Sequence, residues 1–102
     1  MKYCTYILFS REINKYYIGQ TGSFVTRMQH HIEGKTQSTK CTSDWELVFL
    51  EPSASLKDAM ALERRIKRSK SRKSIQRYIN NKLNIIRDPI GLHDIISSNS
   101  II

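Results

Sequence analysis

Apolar and polar positions recur along residues 2 to 80 with two distinct periods, and together they predict three strands and three helices. Tyr3 to Phe9 (Tyr-Cys-Thr-Tyr-Ile-Leu-Phe) is rich in aromatic and β-branched residues and reads as a strand. Ser10 to Lys15 is polar and turn-like, and Tyr16, Tyr17 and Ile18 form a second strand that Gly19 stops. Two such runs joined by a short polar connection predict an antiparallel hairpin. From Phe24 to Glu33 the period lengthens. Phe24, Met28 and Ile32 stand at i, i+4 and i+8, the spacing of one helix face, with Gly22 or Ser23 to cap the start and Gly34 to end it.

Lys35 to Ser43 has no period and reads as a polar loop. Trp45-Glu46-Leu47-Val48-Phe49-Leu50 is a third strand, ending at Pro52. Ser55, with Asp58 three residues on, opens a second helix whose apolar face is Leu56, Ala59, Leu62 and Ile66. A break near Ser69 to Ser71 separates it from a third helix carrying Ile75, Tyr78 and Ile79. The order β-β-α-β-α-α implies an α/β fold: a small three-stranded, mostly antiparallel sheet flanked by helices, over residues 1–83. The tail, 84–102, has no Lys, one Arg and many Ile, interrupted by Pro89 and Gly91. It packs back over the sheet, mediates self-association or frays at its end; its pattern does not choose.

Length and composition narrow the class. With 102 residues, 39% hydrophobic and 25% charged, the chain is one folded domain and not a wholly disordered one. No apolar run approaches the roughly 18 residues of a membrane span. The opening segment is too short and too alternating for a signal peptide, so a cytoplasmic protein without membrane contact is expected. Cys4 and Cys41 have neither a CxxC partner nor a His at zinc-finger spacing, and free thiols are expected.

Charge changes the picture more. Seventeen Lys and Arg against nine Asp and Glu leave a net +8. Arg64, Arg65, Lys67, Arg68, Lys70, Arg72, Lys73 and Arg77 supply eight positive charges with no acidic residue between them, so the remainder of the chain balances to zero. Such a concentrated patch implies a polyanionic partner, with nucleic acid the leading class. Only Ile66 and Ile75 are large aliphatic residues within that stretch, a weak face for inserting into lipid.

The candidate chemistry is polar and sits beside the apolar stripes. Tyr6 and Tyr17 lie on the two hairpin strands, and Arg27 and His31 are i, i+4 on the first helix. Each of Tyr6, Tyr17 and His31, taken singly, is more often a structural residue than a catalytic one. Glu63 follows Leu62 and precedes Ile66 by three, so its carboxylate borders a buried face and needs a partner or a metal; Lys67 at i+4 is the simplest partner.

These residues in this order resemble the GIY-YIG nuclease family. Tyr6, ten residues, then Tyr17-Ile18-Gly19 is similar to its paired motif, although the first element reads Cys4-Thr5-Tyr6. Gln20-Thr21, Arg27, His31 and Gly34 look like the continuation, Trp45 to Phe49 like the third strand, and Ala59, Glu63 and Lys67 like the metal-binding helix. The likeness covers about residues 2 to 80, in the manner of the small single-domain members. It extends to the nuclease domains of branched-DNA structure-specific endonucleases and of the ABC excinuclease.

The resemblance implies an endodeoxyribonuclease that uses one Mg²⁺ (or Mn²⁺) held by Glu63. Tyr6 would be the general base toward water, Arg27 would stabilise the phosphoryl charge, and Tyr17 and His31 would orient the reacting groups. Arg64, Lys67, Arg68, Lys70, Arg72 and Lys73 would follow the DNA backbone. Branched, flap or nicked DNA, or a protein partner, would supply selectivity in repair or recombination. Two elements that some members carry are absent: a Lys where Gln20 stands and an Asn where Ile75 stands. A non-catalytic nucleic-acid-binding module, DNA- or RNA-directed, is the rival reading, and a regulatory subunit docking through the Ile-rich tail is the third.

Overall fold

The computed structural model describes residues 2–69 and 71–98. Its strands are β1 (Tyr3–Ser10), β2 (Lys15–Thr21), β3 (Glu46–Ser53) and β4 (Ile90–Gly91), and its helices are α1 (Phe24–Ile32), α2 (Leu56–Ser69), α3 (Arg72–Ile79) and α4 (Leu92–Ser98). The sheet is antiparallel throughout, in the order β2-β1-β3-β4. Among the described residues no helix is long and apolar enough to cross a membrane.

Strand β1 is central and its alternation divides the molecule. Cys4, Tyr6 and Leu8 enter one core with Phe24, Met28, Trp45, Leu47, Leu50, Ile86, Leu92 and Ile95, under α1 and α4. Ile7 enters the other with Val48, Phe49, Leu62 and Ile66, under α2 and α3. A register shift between Ile7 and Leu8 sets Ile7 opposite Phe49 and Leu8 opposite Leu47. That bulge turns the adjacent Val48 and Phe49 to the same face, a departure from strict alternation.

The fold is the α/β one expected, with four strands in place of three. Strand β4 is two residues long, pairing Gly91 with Glu46 and Ile90 with Leu47, and so short an element has no periodicity to read. Strand β2 runs through Gly19 to Thr21 because Gly19 pairs with Tyr6 inside the ladder. Strand β3 likewise continues through Pro52. The Leu50 amide points to the β4 side of the sheet, so the missing Pro52 amide falls on that same side, where no strand follows beyond Leu47. Ser55 Oγ accepts from the Asp58 amide at 3.1 Å and Ser71 Oγ from the Ser74 amide at 3.1 Å, whereas Ser23 stands at the N-cap of α1 without a side-chain cap bond. Leu56, expected on the buried stripe of α2, is 44% exposed at the first turn of the helix.

The chain from 84 onward continues the core. Asn84 is fully buried, and its side-chain amide bridges three segments. Its Nδ2 donates to the Val48 carbonyl at 3.0 Å and to the Ile79 carbonyl at 2.8 Å, while Oδ1 accepts from the amides of Leu50 at 2.9 Å and Ile86 at 3.0 Å. The Ile85 amide then donates to the Leu50 carbonyl at 3.1 Å. One side chain thus replaces a strand along this part of β3 and directs the chain toward α4, which buries Leu92 and Ile95 beside Met28. Asn84→Ala leaves buried donors and acceptors unpaired, and the expected cost is about 2–4 kcal/mol. Urea denaturation is to show a lower midpoint with an unchanged slope.

Candidate active site

The hairpin delivers two tyrosines to the α1 side of the sheet. Tyr6 stands opposite Gly19, and Leu8 opposite Tyr17, so Tyr6, Gly19 and Tyr17 share one face. Gly19 is required by space. A β-carbon there would lie 2.6 Å from Tyr6 Oη and 2.7 Å from Cζ, because the Tyr6 ring crosses directly over the glycine. Cys4, where the family motif has glycine, fits as a buried core residue, and burial pushes its thiol up to about 11.

Helix α1 completes the cluster. His31 is buried and stands edge-on to both phenols, its ring centroid 5.7 Å from that of Tyr6 and 5.1 Å from that of Tyr17; the two phenol centroids are 6.2 Å apart. Tyr6 Oη and His31 Nε2 are 2.9 Å apart, and His31 Nδ1 lies 2.8 Å from Thr39 Oγ1. Thr39 is fully buried although it belongs to the loop between α1 and β3 that reads as merely polar. Its neighbours in sequence carry no apolar periodicity, so its role had no signal in the sequence.

Electrostatics then sorts these groups. Burial first, then Arg27 and His30, lowers His31 from 6.5 to about 4, so its imidazole is neutral at physiological pH. Burial first, with Tyr17 beside it, holds the Tyr6 phenol above its ordinary value against the opposing pull of Arg27. Arg27, half-buried one turn before His31, therefore acts on both members of the pair. These facts revise one expected role. Tyr6 is 0% exposed and held protonated, so it does not meet a water as a base in this state. Tyr17, half-buried, is the phenol at the solvent boundary.

Glu63 belongs to α2, whose apolar residues pack on the other face of the sheet and which also meets the edge strand β2, and its polar partner is Lys67 Nζ at 3.6 Å, the i+4 pair anticipated from spacing. The two faces are linked through β1: Thr5 Oγ1 donates to the Ala59 carbonyl of α2 at 2.8 Å, one residue before Tyr6. Gln20 pairs with Thr5 and so faces α2, and its Oε1 is buried without a hydrogen-bond partner. Ile75, where some members of that family have Asn, packs against the Ile7 core.

Arg64, Lys67 and Arg68 are exposed along α2 and Lys73 along α3. Arg72 is exposed but already engaged: it donates to Asn14 Oδ1 at 3.1 Å and to the Asn14 carbonyl, and its guanidinium lies 5.4 Å from the Tyr16 ring centroid. It fixes the hairpin turn, where Asn14 has φ 53°. Lys70 lies outside the described residues.

The buried neutral imidazole has a stability consequence. The neutral form of His31 contributes in full above pH 6.5, and that contribution is lost as pH falls toward about 4, because the unfolded chain then binds a proton that the folded one excludes. The expected loss across this window is up to about 3 kcal/mol. Denaturant titrations at pH 7 and pH 4.5 are to show it, and His31→Gln is to flatten the dependence.

A family model described as the GIY-YIG catalytic domain matches residues 2–79 of the chain. No curated protein and no solved structure matches it.

Proposed function

The chain belongs to the GIY-YIG family and is a nuclease, and from that premise we propose that it is a Mg²⁺- or Mn²⁺-dependent endonuclease hydrolysing DNA phosphodiester bonds with a single cation. The observation that carries the reading is the convergence of Arg27, Tyr17 and the buried Tyr6–His31 pair beside Gly19.

The donor set suits a lightly held ion. Among the described residues no three of His, Cys, Asp or Glu gather to enclose a metal. Mg²⁺ keeps most of its water and binds through one or two carboxylates together with substrate phosphate, which fits Glu63 standing alone. The unpartnered Gln20 Oε1 on the α2 side of β2 offers an acceptor to a bound water. When bound, the cation polarises the scissile phosphate and neutralises charge on the leaving oxygen. Lys67 is exposed and frees Glu63 by turning into solvent.

The chain's own residues do the remainder. Arg27 presents a fork of donors to the phosphoryl oxygens. Tyr17, having released its own phenolic proton to solvent, contacts the attacking water as the phenolate and takes its proton. Tyr6 and His31 act behind it as positioning residues that fix the phenol and its hydrogen bonding. Arg64, Lys67, Arg68, Lys70 and Lys73 hold the backbone of the DNA. Phosphate contacts carry no sequence information, so selectivity comes from strand geometry (branch, flap or nick) in repair or recombination, or from a protein partner.

Two measurements test this reading. Cleavage of end-labelled flap, branched and linear DNA is expected with Mg²⁺ and not with EDTA. Glu63→Gln and Tyr17→Phe are each expected to lower the rate at least about 100-fold. Full activity in Glu63→Gln would remove it as the metal ligand, and salt-sensitive binding without any cuts would leave a binding module. The second measurement is binding affinity against salt. If four to six phosphates are neutralised, log K is expected to fall with log salt at a slope of about −4 to −5. A flat dependence would take the basic helices out of the interface.

A further inference from the structure

We propose that Thr39 is a positioning residue for this site: its hydroxyl holds His31 as the Nδ1–H tautomer, so that the Nε2 lone pair faces the Tyr6 hydroxyl. The assignment begins with an anomaly in the loop between α1 and β3. Ser38 and Lys40 are exposed, yet the polar residue between them is fully buried. Two backbone bonds hold it there. The Thr39 amide donates to the Thr36 carbonyl at 3.1 Å, and the buried Trp45 indole N–H donates to the Thr39 carbonyl at 2.8 Å.

The direction of the side-chain bonds follows from what each atom can do. The Thr36 carbonyl only accepts, and Thr39 Oγ1 donates to it at 3.5 Å. With its one proton so directed, Oγ1 is left to accept from His31 Nδ1 at 2.8 Å. His31 is neutral, so a proton on Nδ1 leaves Nε2 bare, and the Tyr6 hydroxyl donates to it at 2.9 Å. With its proton given to Nε2, the Tyr6 oxygen beside the Tyr17 ring is an acceptor only. The two donors of this relay, Tyr6 and His31, both point toward the interior. The opposite tautomer would reverse this polarity and direct a donor outward.

The tautomer stands on the hydrogen-bond geometry of a buried, neutral imidazole; its catalytic consequence rests on the nuclease reading above. The experiment reads both. Imidazole ¹⁵N shifts of the uniformly labelled protein at pH 7, with His31 identified by its absence from His31→Gln, are expected to show a protonated Nδ1 and a bare Nε2. Thr39→Val keeps the shape and removes the acceptor. It is expected to shift the tautomer toward Nε2–H and to lower kcat for Mg²⁺-dependent DNA cleavage about five- to tenfold, the scale of one neutral hydrogen bond, with KM unchanged. Thr39→Ser is expected to restore both.

An Nε2–H tautomer in the unaltered protein overturns the proposal, as does an unchanged tautomer in Thr39→Val or a failure of Thr39→Ser to restore it. Where Thr39→Val loses the native Trp45 fluorescence, the unaltered protein and Thr39→Ser decide the matter by themselves. If the tautomer responds as expected while DNA is never cut, the nuclease reading fails and the assignment of the tautomer stands.

Discussion

Everything in the site depends on two adjacent residues of the buried central strand facing opposite ways. Thr5 bonds the backbone of α2 and Tyr6 bonds His31 of α1, so one peptide unit ties the two helix layers to a common register. A slip of one residue would exchange the faces and place a phenol against α2 and a methyl-bearing hydroxyl against the imidazole. The slip is blocked on both sides. Gly19 leaves the space that the Tyr6 ring crosses on β2, and the register shift between Ile7 and Leu8 pins the pairing with β3. Packing of ordinary core residues thereby fixes the geometry of a polar cluster, which could not hold itself in water.

That cluster avoids the cost of buried charge. A protonated phenol, a neutral imidazole and a threonine hydroxyl satisfy one another without a net charge among them. Arg27 contributes here at a distance: its positive charge opposes protonation of His31, and burial keeps Tyr6 from ionising in response. The charged groups lie at the margin, where water screens them. Glu63 is paired with Lys67, and the cations of α2 and α3 are solvated. The free protein is thus electrically quiet inside and strongly cationic along one side, a division that keeps stability and affinity separately adjustable.

Much of this was legible in the sequence because the relevant signals are repetitive or matched to a motif. The 3.6-residue spacing of Phe24 and Met28 marked the inner face of α1, with His31 beside it, and Leu62 and Ile66 placed Glu63 at the border of the buried face of α2. The i+4 pairing of Glu63 with Lys67 needed only helix geometry. What was not legible depends on single side chains in aperiodic segments. Thr39 sets its hydroxyl against the His31 ring, Trp45 its indole N–H against the Thr39 carbonyl and Asn84 its amide against the backbone of β3, and such single side-chain contacts have no period. The tail showed the same limit: its isoleucines indicated an apolar surface, while its route over the sheet is set by the amide of Asn84.

The two tyrosines show where motif and environment part. Their types and separation place both on one face of the hairpin, but alternation and pairing alone do not say which hydroxyl reaches water. Position in the sheet decides it. Tyr6 belongs to the central strand, with β2 and β3 on either side, and is sealed from solvent; Tyr17 belongs to the edge strand and keeps part of its surface open. A residue behind the boundary shapes hydrogen bonding, and a residue at the boundary exchanges protons with solvent or substrate. The same rule places Arg27 and Glu63, both partly exposed, where they can meet a phosphate or a hydrated ion, and places His31 and Thr39 behind them. Chemistry in this fold is therefore distributed by depth, with the neutral, fully bonded groups innermost and the charged ones outermost, and it is the central strand that sets the depth of each.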